Sequence, residues 1–177
     1  MAGDKFEGAM SVVNRSPAAS SGTPGPEHFC AFDADIMGRT PLMAGMPEDC
    51  RCVLTDRMEP RTYQDGETVY AEGDAARDLF IVASGNLVVS KRGVALMLLR
   101  PADFFGEPSF LDMQPRGNTV RARGLTTVYV IPYSALRSLY QVNMRMYALI
   151  VMNLAREISR RLRHADALVA GSTQPPE

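Results

Sequence analysis

Histidine is nearly missing from this chain. Two occur in 177 residues, His28 and His164, and both lie in or beside the terminal segments. Cysteine is almost as scarce. Cys50 and Cys52 form a C-x-C with no second pair nearby, and Cys30 stands apart. A zinc site needs more ligands at closer spacing, so no metal set is expected. Three reduced thiols suit a reducing, cytoplasmic setting. No nucleophile stands beside a base in any readable pattern, so no catalytic residue is assigned and no enzyme is expected. A run of about 20 apolar residues, which a membrane helix requires, is also lacking. The most apolar helical stretch, Met144 to Leu154, is interrupted by Arg145 and Asn153. The N-terminus has one Lys and no apolar segment, so it is not a secretory signal. The formal net charge of −1 provides no global field to recruit DNA or an anionic membrane.

What remains is a chain of one-domain length with a tail at each end. Residues 1–27 are rich in Ala, Gly, Ser and Pro and cannot bury enough apolar surface to offset the entropy of ordering. They read as a flexible tail, as do residues 169–177. The domain between them is expected over 28–168. Its first part, Phe32 to Met58, has an irregular helical pattern, with a helix beginning at Pro47 and its following acids.

From Arg61 the period changes to two. Thr62-Tyr63, Thr68 to Tyr70, Leu79 to Ala83, Leu87 to Lys91, Val94 to Leu99, Thr119 to Arg123 and Thr126 to Ile131 read as short strands. The punctuation between them is Asp65-Gly66, Gly73, Ser84-Gly85-Asn86, Arg92-Gly93 and Gly124. Strands this short with turns this frequent imply a compact antiparallel barrel or sandwich. The period then returns to 3.6. Ser134 is a candidate N-cap for a helix over Ala135–Tyr140. A long helix follows over about Met144–Leu168, with an apolar seam at Tyr147, Val151, Leu154, Ile158 and Leu162. That seam suits packing on the strands and homodimerisation about equally. The basic residues Arg156 to His164 read as a solvated helix end favoured by the macrodipole.

The segment Phe105–Ala122, FGEPSFLDMQPRGNTVRA, does not fit plain strand or helix. It holds one acid, Glu107, between Gly106 and Pro108, and one base, Arg116, between Pro115 and Gly117. An Arg fork donates two parallel hydrogen bonds and is the side chain best suited to a phosphate. A carboxylate could not bind that phosphate but could accept from sugar hydroxyls. The segment reads as a cradle for one anionic, sugar-bearing small molecule.

These residues resemble the phosphate-binding cassette of the cyclic nucleotide-binding domain family. That family includes the regulatory subunit of protein kinase A, the catabolite activator protein and cyclic nucleotide-gated channels. Phe105-Gly106-Glu107 and Pro115-Arg116-Gly117-Asn118-Thr119-Val120 follow its pattern, and the nine-residue step from Glu107 to Arg116 matches without a gap. Gly66, Gly73 and Gly85 sit where the family's β-roll turns. The resemblance implies an α+β fold: an antiparallel, jelly-roll-like β-roll with short helices before it and a long helix after it. It implies that Arg116 pairs with the cyclic phosphate and Glu107 accepts from the ribose 2′-OH. Gly106, Pro108, Ser109, Gly117 and Asn118 complete the cradle. Asn153 is a candidate for facing the base or a partner helix. Asp112 is expected to point away. Gly117 lacks the hydroxyl that cGMP-preferring members carry after the Arg, which leans toward cAMP over cGMP. No cofactor other than the nucleotide ligand is implied. The chain ends nine residues after Leu168, leaving no room for the activator's DNA-reading motif. The expected output is therefore movement of the long helix toward an unidentified protein partner. Two other readings stand beside it: a degenerate member serving as a ligand-independent scaffold, and a small enzyme with a cupin-like roll.

Overall fold

The computed structural model describes residues 33–172. The expected N-terminal tail lies outside the described residues. Helix α1 (Ala34–Arg39) is capped by Asp33, whose Oδ1 accepts from the backbone N–H of Asp35 and Ile36. A 3-10 turn (Pro41–Met43) and α2 (Glu48–Thr55) follow. Pro47 stands just before α2, as the Pro-then-acid pattern indicates, but the helix stops at Thr55, three residues short of Met58.

Among the described residues, six strands form one antiparallel sheet: β1 (Glu59–Tyr63), β2 (Thr68–Tyr70), β3 (Leu79–Lys91), β4 (Val94–Leu99), β5 (Phe104–Phe105) and β6 (Thr119–Ile131). The expected roll is there, but two of its turns are not. Ser84-Gly85-Asn86 and Gly124 do not end strands. Each is a bend inside one of the two long strands, β3 and β6, which pair along both halves. The ladder slips at Val82/Ser84 and Ser84/Asn86, so the bend is a pair of bulges rather than a hairpin. Gly85 has φ +78°, and a Cβ there would lie 2.4 Å from the Leu125 carbonyl oxygen. Thr126 pins the bend: its Oγ1 donates to the Asn86 carbonyl and accepts from the Asn86 N–H. Each half of β3 and β6 then takes different neighbours. β5 and β4 flank the two halves of β3, and β1 and β2 flank those of β6. One sheet thereby rolls over on itself.

Both faces are buried where residues 79–82 of β3 pair with residues 128–131 of β6, and alternation sorts the residues. Phe80, Val82, Val128 and Val130 point into the roll, with Leu87, Leu99, Phe105 and Val120. Leu79, Ile81, Tyr129 and Ile131 point outward, under the helices. The helices on that outer face are the short cassette helix α3 (Glu107–Asp112), α4 (Tyr133–Val142) and α5 (Met144–Ser172). α4 starts two residues before the expected position, and Ser134 is not its cap. The N–H of Tyr133 instead donates to Asp78 Oδ1, a cap supplied from 55 residues away. α5 runs four residues past Leu168. It packs through Met146, Ile150 and Leu154, each nearly inaccessible to solvent. Of the expected seam, only Leu154 is buried, and Leu162 is exposed. The buried stripe is rotated, and beyond Leu154 it continues as polar residues.

Gly66 and Gly85 share φ +78°, but nothing lies within 4 Å of a Cβ at Gly66. An alanine at Gly66 is therefore expected to cost roughly 1 kcal/mol from strain alone, whereas Gly85→Ala should cost roughly 3 kcal/mol or more because the bend must open. Urea unfolding of the two variants measures the difference, and equal losses would contradict the crossed-bend account.

Candidate nucleotide site

The cassette joins β5 to β6. Gly106 turns out of β5 at φ +91°, and a Cβ there would lie 2.8 Å from Arg116 Nη1 and 2.9 Å from the Asp78 carbonyl oxygen. Only glycine meets both conditions. α3 follows, with Pro108 in its first turn, where a missing N–H costs nothing. The chain then returns through Arg116, whose backbone is clamped to the 73–74 turn: Gly73 N–H donates to Arg116 O, and Arg116 N–H donates to Asp74 O. Asp112 is exposed and caps the N–H of Gln114, pointing away as expected.

A cleft of about 250 Å³ opens here, lined by Tyr70, Lys91, Leu96, Gly106, Pro108, Ser109, Arg116, Gly117 and Asn118. Six of the seven expected cassette residues are in that wall. Tyr70, Lys91 and Leu96 come from β2, β3 and β4 and were not singled out by the sequence. Strand alternation places Tyr70 inside the roll, which is the one signal that could have found it. Tyr70 OH donates to Asn118 Oδ1 at 3.2 Å.

Arg116 is almost wholly buried. Its guanidinium lies 4.4 Å from the Tyr70 ring centroid and 5.5 Å from that of Phe80. Nη1 donates to the Gly106 carbonyl at 2.9 Å and Nη2 to the Asp78 carbonyl at 2.7 Å. Burial lowers its pKa, opposed by Tyr70, Asp78 and Glu107. Burial likewise raises the pKa of Tyr70 well above the usual phenol range.

Glu107, the seventh residue, stands behind the wall. Its Oε1 accepts from Arg161 Nη1 of α5 at 2.8 Å, and both side chains are largely buried. Arg161 has every nitrogen engaged: Nε donates to Glu157 Oε1 at 2.7 Å and Nη2 to the Phe104 carbonyl at 2.6 Å. Glu157 also accepts two bonds from Arg160. Glu157 and Arg161 thus do not belong to a solvated helix end. They lie at four-residue spacing on the buried face of α5, and that spacing from Asn153 was the signal available. Asn153 itself is buried and is not part of the cleft wall. Its Nδ2 donates to the carbonyls of Leu42 and Ala44, and its Oδ1 accepts from Arg156. It ties α5 to the N-terminal turn and does not face the cleft.

Three buried side-chain polar atoms have no hydrogen-bond partner among the described residues: Thr40 Oγ1, Glu107 Oε2 and Arg116 Nε. Two of the three belong to the cassette. One is a donor on a cation and the other an acceptor on a carboxylate, the pair that a phosphate and a neighbouring hydroxyl would satisfy. No cluster of His, Cys, Asp or Glu that could hold a metal occurs among the described residues.

Residues 60–143 match the sequence model of the cyclic nucleotide-binding domain. Residues 60–143 belong to the cyclic nucleotide-binding domain family. The chain is 30% identical over 139 residues to the CRP-like cAMP-activated global transcriptional regulator of Mycobacterium tuberculosis, an alignment covering 75% of this chain and 59% of that one. It is 35% identical over 89 residues to a cAMP-dependent protein kinase regulatory subunit of Eremothecium gossypii, covering 50% of this chain and 19% of that one. The solved structure of the Thermus thermophilus catabolite activator protein superposes with a TM-score of 0.62 at 31% identity, over 74% of this chain and 62% of that one. The chain thus spans less than two thirds of the length of each of these relatives. The β-roll fold is what that solved structure shares with it. No described helix is long and apolar enough to cross a membrane.

The two acids that grip Arg161 titrate in opposite directions. Burial raises the Glu107 pKa, only partly offset by Arg161. Burial pushes Glu157 up too, but hydrogen bonds from Arg160 and Arg161 outweigh it, and its net shift is down. Glu107 ionisation therefore costs stability as pH rises through its raised pKa. Glu157 ionisation stabilises the fold above the unfolded carboxylate range, and that stability is lost as pH falls through its depressed pKa. Carboxyl carbon NMR should show Glu107 protonating before Glu157 as pH falls from 7. The reverse order would contradict the arrangement.

Proposed function

We propose that this domain binds a cyclic nucleotide, cAMP in preference to cGMP, and reports it by movement of α5 toward a protein partner. The observation that carries the reading is the pair of unpartnered buried atoms, Arg116 Nε and Glu107 Oε2, on two sides of one cassette. A cyclic phosphate would draw on the Arg116 fork and the backbone N–H groups near Ser109 and Gly117. A ribose hydroxyl would turn to Glu107. Gly117 supports cAMP, since it lacks a hydroxyl for the guanine substituent. Asn153 is committed elsewhere, so the base contacts fall to the residues around Leu96 and to α5.

The coupling follows from Glu107. The carboxylate that accepts from the ribose also holds Arg161, and Arg161 is fixed to its own helix by Glu157. Ligand and helix compete for, or share, one side chain, so occupancy biases how α5 packs. The same observations favour a second reading. Arg116 already spends two donors on carbonyls, and Glu107 already has an ion pair, so the fold is self-supporting as a ligand-independent scaffold. A homodimer through α5 is compatible with either.

Calorimetry with cAMP and cGMP separates them. The sensor reading expects heat with cAMP and at least about tenfold weaker affinity in Arg116→Ala, since a charge-assisted hydrogen bond contributes roughly 1.5–3 kcal/mol. No heat and no thermal shift with either nucleotide would refute it, and partner capture unchanged in Arg116→Ala would favour the scaffold.

A further inference from the structure

A second cleft, of about 230 Å³, lies on the helical side, between the cassette and the two C-terminal helices. It is lined by Phe110 of α3, Tyr133, Arg137 and Tyr140 of α4, and Tyr147 of α5. Phe110 and Tyr133 meet at 5.7 Å and 60°, Tyr140 and Tyr147 at 5.3 Å and 80°. The four rings come from three elements, so the cleft is built by the fold and not by one surface helix. At this size it fits one large side chain. Exposed apolar residues flank the lining positions in the chain: Leu111 and Met113 after Phe110, Val142 and Met144 between Tyr140 and Tyr147. A small aromatic anchor hole with an apolar surround is the form of a peptide-docking site.

Charge decides what enters. Bare aromatic walls would attract a cation. Here Arg137 lines the cleft, and Arg77 stands 5.7 Å from the Tyr133 ring centroid. No carboxylate lines it, and Arg137 has no ion partner among the described residues. The guanidiniums repel a cation and leave an unmet preference for an anion beside a ring. The geometry points to this cleft as the docking site for a partner peptide that carries an aromatic side chain next to Asp or Glu.

The cleft is also wired to the cassette. Arg116 Nη1 holds the carbonyl of Gly106, the residue that opens α3, and so the base of the Phe110 wall. Arg116 Nη2 holds the carbonyl of Asp78, whose carboxylate caps Tyr133, and so the opposite wall. Any phosphate that recruits Arg116 loosens or shifts both walls together. This coupling rests on the nucleotide reading above, whereas the docking site does not.

Random octapeptides displayed on phage, selected against the full chain without nucleotide, test the site. Selected peptides are expected to carry an aromatic residue beside an acid. In fluorescence polarisation with the synthetic winners, Arg137→Glu and Tyr140→Ala should each weaken binding at least about tenfold, with Arg137→Lys retaining most of it. Thermal melts check that the variants fold, and both changed side chains are exposed. Saturating cAMP should change the peptide Kd by about fivefold or more. No enrichment over the Arg137→Glu protein, winners without an acid, or winners bound equally by Arg137→Glu would overturn the proposal. Protein-concentration-dependent shifts of the three tyrosines without peptide would also overturn it, assigning the cleft to a second copy. Peptide binding in a protein that gives no heat with either nucleotide would leave the docking site standing and refute the nucleotide reading.

Discussion

Everything distinctive about this domain depends on one partly buried ion pair, Glu107 with Arg161. Its carboxylate belongs to the cassette and its guanidinium to the long helix, 54 residues further on. A buried carboxylate is costly unless it is paired, and removing one partner from such a pair costs roughly 3–5 kcal/mol. The pair is therefore an obligatory contact, and any ligand that addresses Glu107 must negotiate with the helix. Glu157 makes the arrangement stiff. With Nε on Glu157, Nη1 on Glu107 and Nη2 on the Phe104 carbonyl, Arg161 has little rotamer freedom left. Under the proposed coupling, motion at Glu107 would be passed to α5 and not absorbed by a flexible side chain.

Arg116 has the matching role on the other side of the cassette. It lies on the Tyr70 and Phe80 rings and holds two carbonyls that belong to separate segments. The roll supports this by burying both faces of β3 at residues 79–82, the stretch that carries Phe80, so this ring cannot shift without disturbing the core on either side. A rigid roll with two charged fasteners, one to each neighbouring segment, is a sound base for a switch because only the fasteners need to change.

Much of this was legible in the residues. Phe105-Gly106-Glu107 and Arg116 announced the cassette because a ligand cradle needs local chemistry at fixed spacing, and local spacing survives in a linear sequence. The strands were legible through their period of two. The bends at Gly85 and Gly124 were misread as hairpin turns because a glycine between β-rich runs looks the same in both cases. What distinguishes them is the Gly85 approach to Leu125 across the sheet, a contact between residues 40 apart. Arg161 was read as part of a solvated helix end for the same reason, and Glu157 was not singled out. Nothing near them in sequence reveals that Glu107 and the Phe104 carbonyl wait opposite. Asn153 shows the converse: a polar residue on an apolar helix face suggested a ligand, and it serves two backbone carbonyls instead.

The central claim is that nucleotide occupancy and α5 packing are linked through Arg161. Amide hydrogen exchange along residues 153–168, with and without saturating cAMP, tests it most directly when wild type is compared with Arg161→Met. The account predicts at least about a tenfold nucleotide-dependent change in exchange in wild type and little or none in the variant. Exchange unaffected by nucleotide at proven saturation, or the same response in both proteins, would contradict it.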